Sequence, residues 1–234
     1  MIIGSNKGIG LELASRFTDK RDKVYAVCRK ASDAMKKIGV TRIIEGVDVG
    51  KDDCATILRD SLKGVSIDIL IHNSGILDED DIDTLDLDSV RRQFEINSLG
   101  PLRVVRALKD YMKKEESYIG LMSSQMGSLA DNASGGYYGY RMSKCALNMA
   151  GKSLALDLKD TSSVQLLHPG FVSTDMTKAM GSGSRPVSES VDGLMEIIES
   201  GYEGKTESGT FWHGTCVCVL YFYFSRIYLF SSSR

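Results

Sequence analysis

The chain has 234 residues, enough for one sizeable α/β domain, and its 42% hydrophobic and 26% charged content is ordinary for a globular protein with a real core. Lysine plus arginine number 29 against 31 acidic residues, so no basic excess is present to serve nucleic acid or an anionic membrane. The five cysteines are odd in number and scattered, which argues against a disulfide framework, and the spacing of Cys216 and Cys218 does not suit a metal, so no metal site is expected.

In chain order, the first strand is confined to residues 1–3, a truncated element for a position that a doubly wound sheet makes central. It runs into GSNKGIG, with glycines at 4, 8 and 10, and a helical pattern follows over 8–20. A glycine turn between strand and helix lets backbone N–H groups approach a pyrophosphate, which the helix N-terminus also favours. The spacing is G-x-x-x-G-x-G, a weak signal by itself, so its place at the strand–helix junction carries the reading. The next strand, VYAVC at 24–28, ends in Arg29 and Lys30. A fold that binds NAD usually has a carboxylate there for the ribose 2′-hydroxyl, whereas an arginine suits a 2′-phosphate. NADP (NADPH) is therefore the expected cofactor, with Lys7 adding a further charge.

Strands are predicted at 41–47, 66–72, 117–123 and 163–168, and helices at 51–63, 84–113 and 137–160. In the last helix Ala146, Met149, Ala150, Leu154 and Leu158 mark one apolar stripe. This alternation implies parallel strands with right-handed crossovers: a single-domain, Rossmann-type doubly wound α/β sheet with a truncated first strand. The GSGSR stretch at 181–185 reads as a mobile loop. Near residue 214 charge almost disappears, so residues 1–214 form the expected domain and 215–234 an atypical apolar tail outside its core. Within it, 216–224 has the composition of an aggregation-prone segment, and the apolar run at 216–230 is too short to span a bilayer. No signal sequence opens the chain, and a cytoplasmic, reducing location is expected.

The stretch GGYYGYRMSK at 135–144 holds three tyrosines, of which only Tyr140 has a lysine, Lys144, four residues on. Residues so spaced share a helix face. An ammonium ~4 Å from a phenol at an effective dielectric of ~20 favours the phenolate by roughly 4 kcal/mol before desolvation, enough to draw a pKa of ~10 toward neutrality. One such pair arises by chance at about this composition, so the pair counts only with Ser123 and Ser124, which end a predicted strand and offer a hydroxyl to a carbonyl.

Five motifs in order, GSNKGIG, His72-Asn73-Ser74-Gly75, INSLG around Asn97, SSQMG around Ser124 and YRMSK from Tyr140, give the chain its resemblance to the short-chain dehydrogenases/reductases over residues 1–212. Within that family, GGYYGYRMSKCALNMA and HPGFVSTDM look like the C-signal-factor and sniffer-type carbonyl reductases. The resemblance implies catalysis by Asn97, Ser124, Tyr140 and Lys144: Tyr140 as acid, Lys144 lowering its pKa and holding the nicotinamide ribose, and Asn97 anchoring a relay water. It implies a cofactor site of Gly4, Asn6, Lys7, Gly8, Ile9, Gly10 and Arg29, with Asp48 and Val49 at the adenine. Asn73, Ser74 and Gly75 would meet the adenosine ribose, and Pro169, Gly170, Val172 and Thr174 the carboxamide. Ile3 and Ser74 replace the family's usual threonine or serine and alanine. The expected partner is a small carbonyl compound, with a homodimer allowed. The expected activity is NADP-dependent reduction of an aldehyde or ketone. The alternatives are a catalytically impaired NADP-binding protein with damaged termini and, from the shared Tyr-x-x-x-Lys, a nucleotide-sugar epimerase.

Overall fold

A computed structural model describes residues 1–114, 116–181, 184–213 and 216–219. The short aliphatic runs form strands β1 (Ile2–Ile3), β2 (Tyr25–Val27), β3 (Arg42–Ile44), β4 (Ile69–His72), β5 (Ser117–Met122), β6 (Ser162–His168), β7 (Phe211–His213) and β8 (Cys216–Val219). They make one sheet in the order β3-β2-β1-β4-β5-β6-β7-β8. All neighbours pair in parallel except β7 and β8, which are antiparallel. The chain folds as a single Rossmann-type domain.

Both faces of a parallel sheet must be covered, because its strands are apolar on both sides. On one face Leu58 of α3 (Cys54–Ser61), Val104 and Leu108 of α5 (Gly100–Leu108) and Leu147 of α6 (Tyr138–Asp157) join Ile119 and Val164. On the other, Leu13 and Phe17 of α1 (Gly8–Asp19) and Leu194 and Ile198 of α7 (Val187–Tyr202) close over Ile2, Ile71 and Tyr118. Each such side chain contributes about 2 kcal/mol by leaving water. The remaining helices are α2 (Asp33–Lys37) and α4 (Leu87–Phe94).

The first strand is as short as its sequence suggests, yet it is central: Ile2 and Ile3 pair with β2 on one side and β4 on the other. The expected helix over 84–113 is interrupted. Between α4 and α5 lies a π-helical turn, Glu95–Leu99, in which the Gly100 N–H reaches back to the Glu95 carbonyl. Pro101 explains part of this: without an N–H it cannot extend the regular hydrogen-bond ladder back to residue 97. Gly100 adds a second constraint, since a Cβ there would lie 3.1 Å from a Val49 methyl.

The stripe expected on α6 meets the core only in part, through Leu154 and Leu158. Met149 is exposed, and the buried face runs through Tyr140, Ser143, Lys144, Leu147, Gly151 and Ala155. Small residues there let the helix approach the sheet: a Cβ on Gly151 would sit 2.8 Å from Leu166. Helices α2 and α7 were not signalled by the apolar periodicity. The apolar tail also behaves differently at its start. Residues 216–219, beyond the compositional boundary at 214, pair with β7 as an edge strand, since β7 has an outer edge to satisfy. The rest of 216–224, and Ser182 and Gly183 of the expected loop, lie outside the described residues. No described helix is long and apolar enough to cross a membrane.

Candidate active site

Ligands bind doubly wound sheets outside the carboxyl ends of the strands, where strand order reverses. Here the reversal falls between β1 and β4, and the glycine turn and the 73–75 segment meet there. The Asn73 amide donates to the Gly4 carbonyl at 2.9 Å. Gly4 is left-handed (φ +79°), and a Cβ on it would lie 2.5 Å from the Ser74 hydroxyl. A Cβ on Gly10 would run into the Gly4 carbonyl oxygen, so contact requires glycine at both positions, and at Gly4 the left-handed backbone requires it as well.

Asn6 does not point idly into the groove. Its side-chain oxygen accepts the Ser32 N–H at 2.5 Å and its carbonyl accepts the Ser32 hydroxyl at 2.8 Å, tying the glycine turn to the start of α2. Lys7 pairs instead with Asp175 at 2.8 Å, on the loop after β6, and both side chains are exposed. Arg29 and Lys30 are exposed at the end of β2. A carboxylate does reach this corner: Glu45, from beyond β3, accepts the Ala31 N–H at 2.6 Å. Sequence reasoning sought an acid only at the end of β2 and so missed it. Asp48 closes its own turn onto the Gly50 N–H at 3.0 Å, and Val49 is buried against Gly100.

Ile9 lies on the first turn of α1. On the far side of the groove, the Pro169 carbonyl accepts the Ser190 hydroxyl at 2.7 Å, Gly170 is left-handed (φ +83°), and Thr177 bonds the Val172 carbonyl and, at 3.0 Å, the Thr174 N–H. Thr174 also touches the start of α1, where a Cβ on Gly8 would lie 3.4 Å from its methyl.

The chemical groups cluster beside this groove. Ser124 follows β5, is buried, and lines one cavity with the Tyr140 phenol, whose pKa it draws down. Ser123 is committed elsewhere, donating to the Asn148 amide oxygen at 2.5 Å. Of the three neighbouring tyrosines only Tyr140 is buried. The start of α6 explains the selection. Gly135, Gly136 and Tyr137 are all left-handed, and Asp80 grips the first turn, its carbonyl taking the Tyr137 N–H at 2.7 Å and its carboxylate the Tyr138 N–H at 2.5 Å. That clamp, absent from any motif, fixes which face of the helix reaches Ser124.

Asn97 sits in the π turn with no exposed surface. Its oxygen accepts the Ile76 N–H at 2.9 Å, and its nitrogen donates to the Ile76 carbonyl at 2.9 Å and the Ser143 hydroxyl at 3.0 Å. Both amide protons are used, leaving one lone pair on the oxygen. Lys144 Nζ lies 5.7 Å from the Tyr140 ring centre and donates to the Met122 carbonyl at 2.8 Å. Gly75 makes room for both, since a Cβ there would lie 3.3 Å from the Asn97 oxygen and 3.6 Å from Lys144 Nζ.

The electrostatics depart from the expectation that Lys144 lowers the Tyr140 pKa. Burial pushes the Tyr140 phenol above its ordinary value, with only the Ser124 hydrogen bond opposing. Burial also pulls Lys144 down to about 8. Desolvation outweighs attraction at this separation, and the group brought near neutrality is the lysine.

The sheet, its glycine turn at the switch point and a Ser–Tyr pair beside a buried lysine define a dinucleotide-type oxidoreductase. The sequence profile described as "short chain dehydrogenase" matches residues 1–185, and the chain belongs to that family. It is 41% identical over 181 residues to 1-hydroxy-2-glutathionyl-2-methyl-3-butene dehydrogenase of Rhodococcus sp., covering 76% of this chain and 79% of that one. It is 41% identical over 139 residues to C-signal of Myxococcus xanthus, covering 57% and 81%. Among solved structures, the carbonyl reductase Sniffer of D. melanogaster superposes with TM-score 0.82 at 26% identity, over 93% of this chain and 97% of that one. A carbonyl reductase from Pseudomonas aeruginosa in complex with NADP superposes with TM-score 0.80 at 31% identity, over 94% and 96%.

Proposed function

We propose that this protein is an NADP-dependent carbonyl reductase, acting on an aldehyde or ketone from within a cytoplasmic, reducing compartment. The observation that carries the reading is the buried grouping of Ser124, Tyr140 and Lys144, with the first two lining one cavity, at the rim of a groove floored by Gly4, Gly10 and Asn73. The groove suits a dinucleotide, because a glycine turn packed tightly on its own backbone and on the 73–75 segment stands between β1 and the N-terminus of α1, where backbone N–H groups favour a pyrophosphate.

Backbone N–H groups of residues 4–10 would hold the pyrophosphate, Arg29 with Lys30 a 2′-phosphate, and Asp48 with Val49 the adenine. Asn73, Ser74 and Gly75 would line the adenosine ribose, Tyr140 and Lys144 the nicotinamide ribose, and Pro169, Gly170, Val172 and Thr174 the carboxamide. When bound, NADPH supplies the hydride that the carbonyl carbon receives. The chain's own residues handle the oxygen and its proton. Ser124 and Tyr140 hydroxyls hold the carbonyl oxygen, and Tyr140, kept protonated by its burial, gives up its proton as negative charge develops. Lys144, near 8, restores it, because a group that gains and loses a proton close to working pH relays efficiently. The remaining lone pair of the Asn97 oxygen anchors the water that links the lysine to solvent. The name of the Rhodococcus relative, a dehydrogenase of a hydroxy compound, suggests that the same groups also run in reverse.

The test is loss of NADPH absorbance with a panel of aldehydes and ketones. Turnover that is abolished in Tyr140→Phe is the expected result. No turnover of any carbonyl, or full turnover without the phenol, overturns the reading.

A further inference from the structure

We infer that the substrate cavity is built for a carbonyl compound bearing a carboxylate, with Arg185 as the group that holds it. This rests on the carbonyl-reductase reading of Tyr140 and Ser124.

A cavity of about 450 Å³ opens from those two hydroxyls. One wall is apolar, with Met126, Phe171 and Met176. The charges on the lining are unequal: Arg141 and Arg185 against the single carboxylate of Asp131, with Lys144 just behind Tyr140. A neutral carbonyl gives a half-buried guanidinium on the lining nothing to pair with, whereas a carboxylate would.

The two arginines are not equivalent. Arg141 is occupied in its own loop, donating to the Gly136 carbonyl at 3.2 Å and the Ser134 hydroxyl at 2.9 Å. Arg185 is anchored through its backbone, its N–H on the Phe171 carbonyl and its carbonyl on the Ser173 N–H, both at 2.9 Å. Among the described residues its side chain makes one long ion-pair contact, 3.4 Å, to the exposed carboxylate of Glu189. A planar fork with five donors and one such contact retains a bidentate edge for a second carboxylate.

The surroundings report the same excess of positive charge. His168 and His213 line the cavity, their rings 4.6 Å apart. Burial first, and then the positive field of neighbours including Arg185, holds both below the ordinary histidine range. The site thus keeps its histidines uncharged rather than adding to the cations it already has. An entering carboxylate supplies the charge that the cavity lacks.

The experiment compares para-carboxybenzaldehyde with its methyl ester, nearly equal in size and differing in charge, in the wild type, Arg185→Met and Arg185→Lys. The wild type should favour the acid over the ester in kcat/KM by about tenfold or more, the worth of a well-formed charged hydrogen-bonded pair. Arg185→Met should erase that ratio, and Arg185→Lys should keep part of it. Equal use of acid and ester by the wild type overturns the inference, as does an unchanged ratio in Arg185→Met. So does a matching loss of NADPH affinity in Arg185→Met, which would put the guanidinium on the cofactor. If neither aldehyde is reduced, the reductase reading fails separately. The anion site is then read from the rise in melting temperature that para-carboxybenzaldehyde gives the wild type: loss of that rise in Arg185→Met upholds it, and its persistence overturns it.

Discussion

The two halves of the groove are built on opposite principles. On the glycine-turn side, shape is made by backbone: Gly4 and Gly10 are required by near contacts, and the long side chains, Lys7, Arg29 and Lys30, stand in solvent. On the tyrosine side, the working groups are side chains, and Asn97, Ser124, Tyr140 and Lys144 are all buried. In the proposed reading the first half recognises through the backbone N–H groups of a tightly packed turn. The second acts by holding polar groups out of water, where each hydrogen bond or charge has larger consequences.

If that contrast is right, the largest effect belongs to the buried side. Tyr140→Phe should lower turnover by roughly 10²–10⁴-fold, the usual share of general acid catalysis, with NADPH affinity nearly intact. Tyr137→Phe and Tyr138→Phe should change steady-state rates far less, and a lethal Tyr138→Phe would mean that α6 presents a different face.

The open side should respond through cofactor choice instead. Arg29→Asp should shift the ratio of NADPH to NADH affinities by about tenfold or more toward NADH, read by titrating cofactor fluorescence. Glu45 gives this test an edge, because a carboxylate already stands at that corner. Equal affinities in the unmodified protein would mean that Glu45 offsets the two cations and that NADP selection fails.

The pH profile separates the halves as well. Lys144 carries its proton below about 8 and loses it above. Reduction should therefore be level below that value and fall about tenfold per pH unit above it. The folded value lies below the ordinary 10.5, so the unfolded chain binds more protons between the two, and stability should rise with pH from about 8 to 10.5. A rate falling through about 6 instead would place the relay on another group.

The smallest of these effects concerns the clamp on α6. Asp80→Ala removes the carboxylate that accepts the Tyr138 N–H and should cost about 1 kcal/mol of stability in denaturant melts. Its KM for a carbonyl should rise more than its NADPH dissociation constant, since the clamp aims Tyr140 and leaves the glycine turn untouched.

Strands β2 to β6 and the glycine turn were legible because period and punctuation are local properties of sequence. Tyr140 was legible through its spacing to Lys144, although the lowered phenol pKa was reckoned before desolvation, which works in the opposite direction. What escaped was whatever depends on contacts between distant segments. Asp80 sits 58 residues from the helix start that it grips, and Glu45 is 14 residues from the amide that it accepts. The π turn at Asn97 was hidden because 84–113 has helical spacing throughout, and only the packing of Gly100 on Val49 and the missing N–H of Pro101 betray it. The α6 stripe found Leu154 and Leu158 but missed the centre of the buried face, which is made largely of small and polar residues that hydrophobic periodicity does not count.

The Lys7–Asp175 pair has a consequence for timing. It joins the glycine turn to the loop after β6, segments 168 residues apart. Exposed on both sides, it is too weak to determine cofactor affinity, but beside the groove proposed for the dinucleotide it would serve as a catch. Such a catch acts on residence time: release of the oxidised cofactor, often the slow step of turnover, waits for it to open. Since salt screens exposed charges, cofactor dissociation in stopped-flow measurements should quicken severalfold with ionic strength. In Asp175→Asn it should start fast and stay so, and an unchanged salt response in that variant would show that the catch is ornamental.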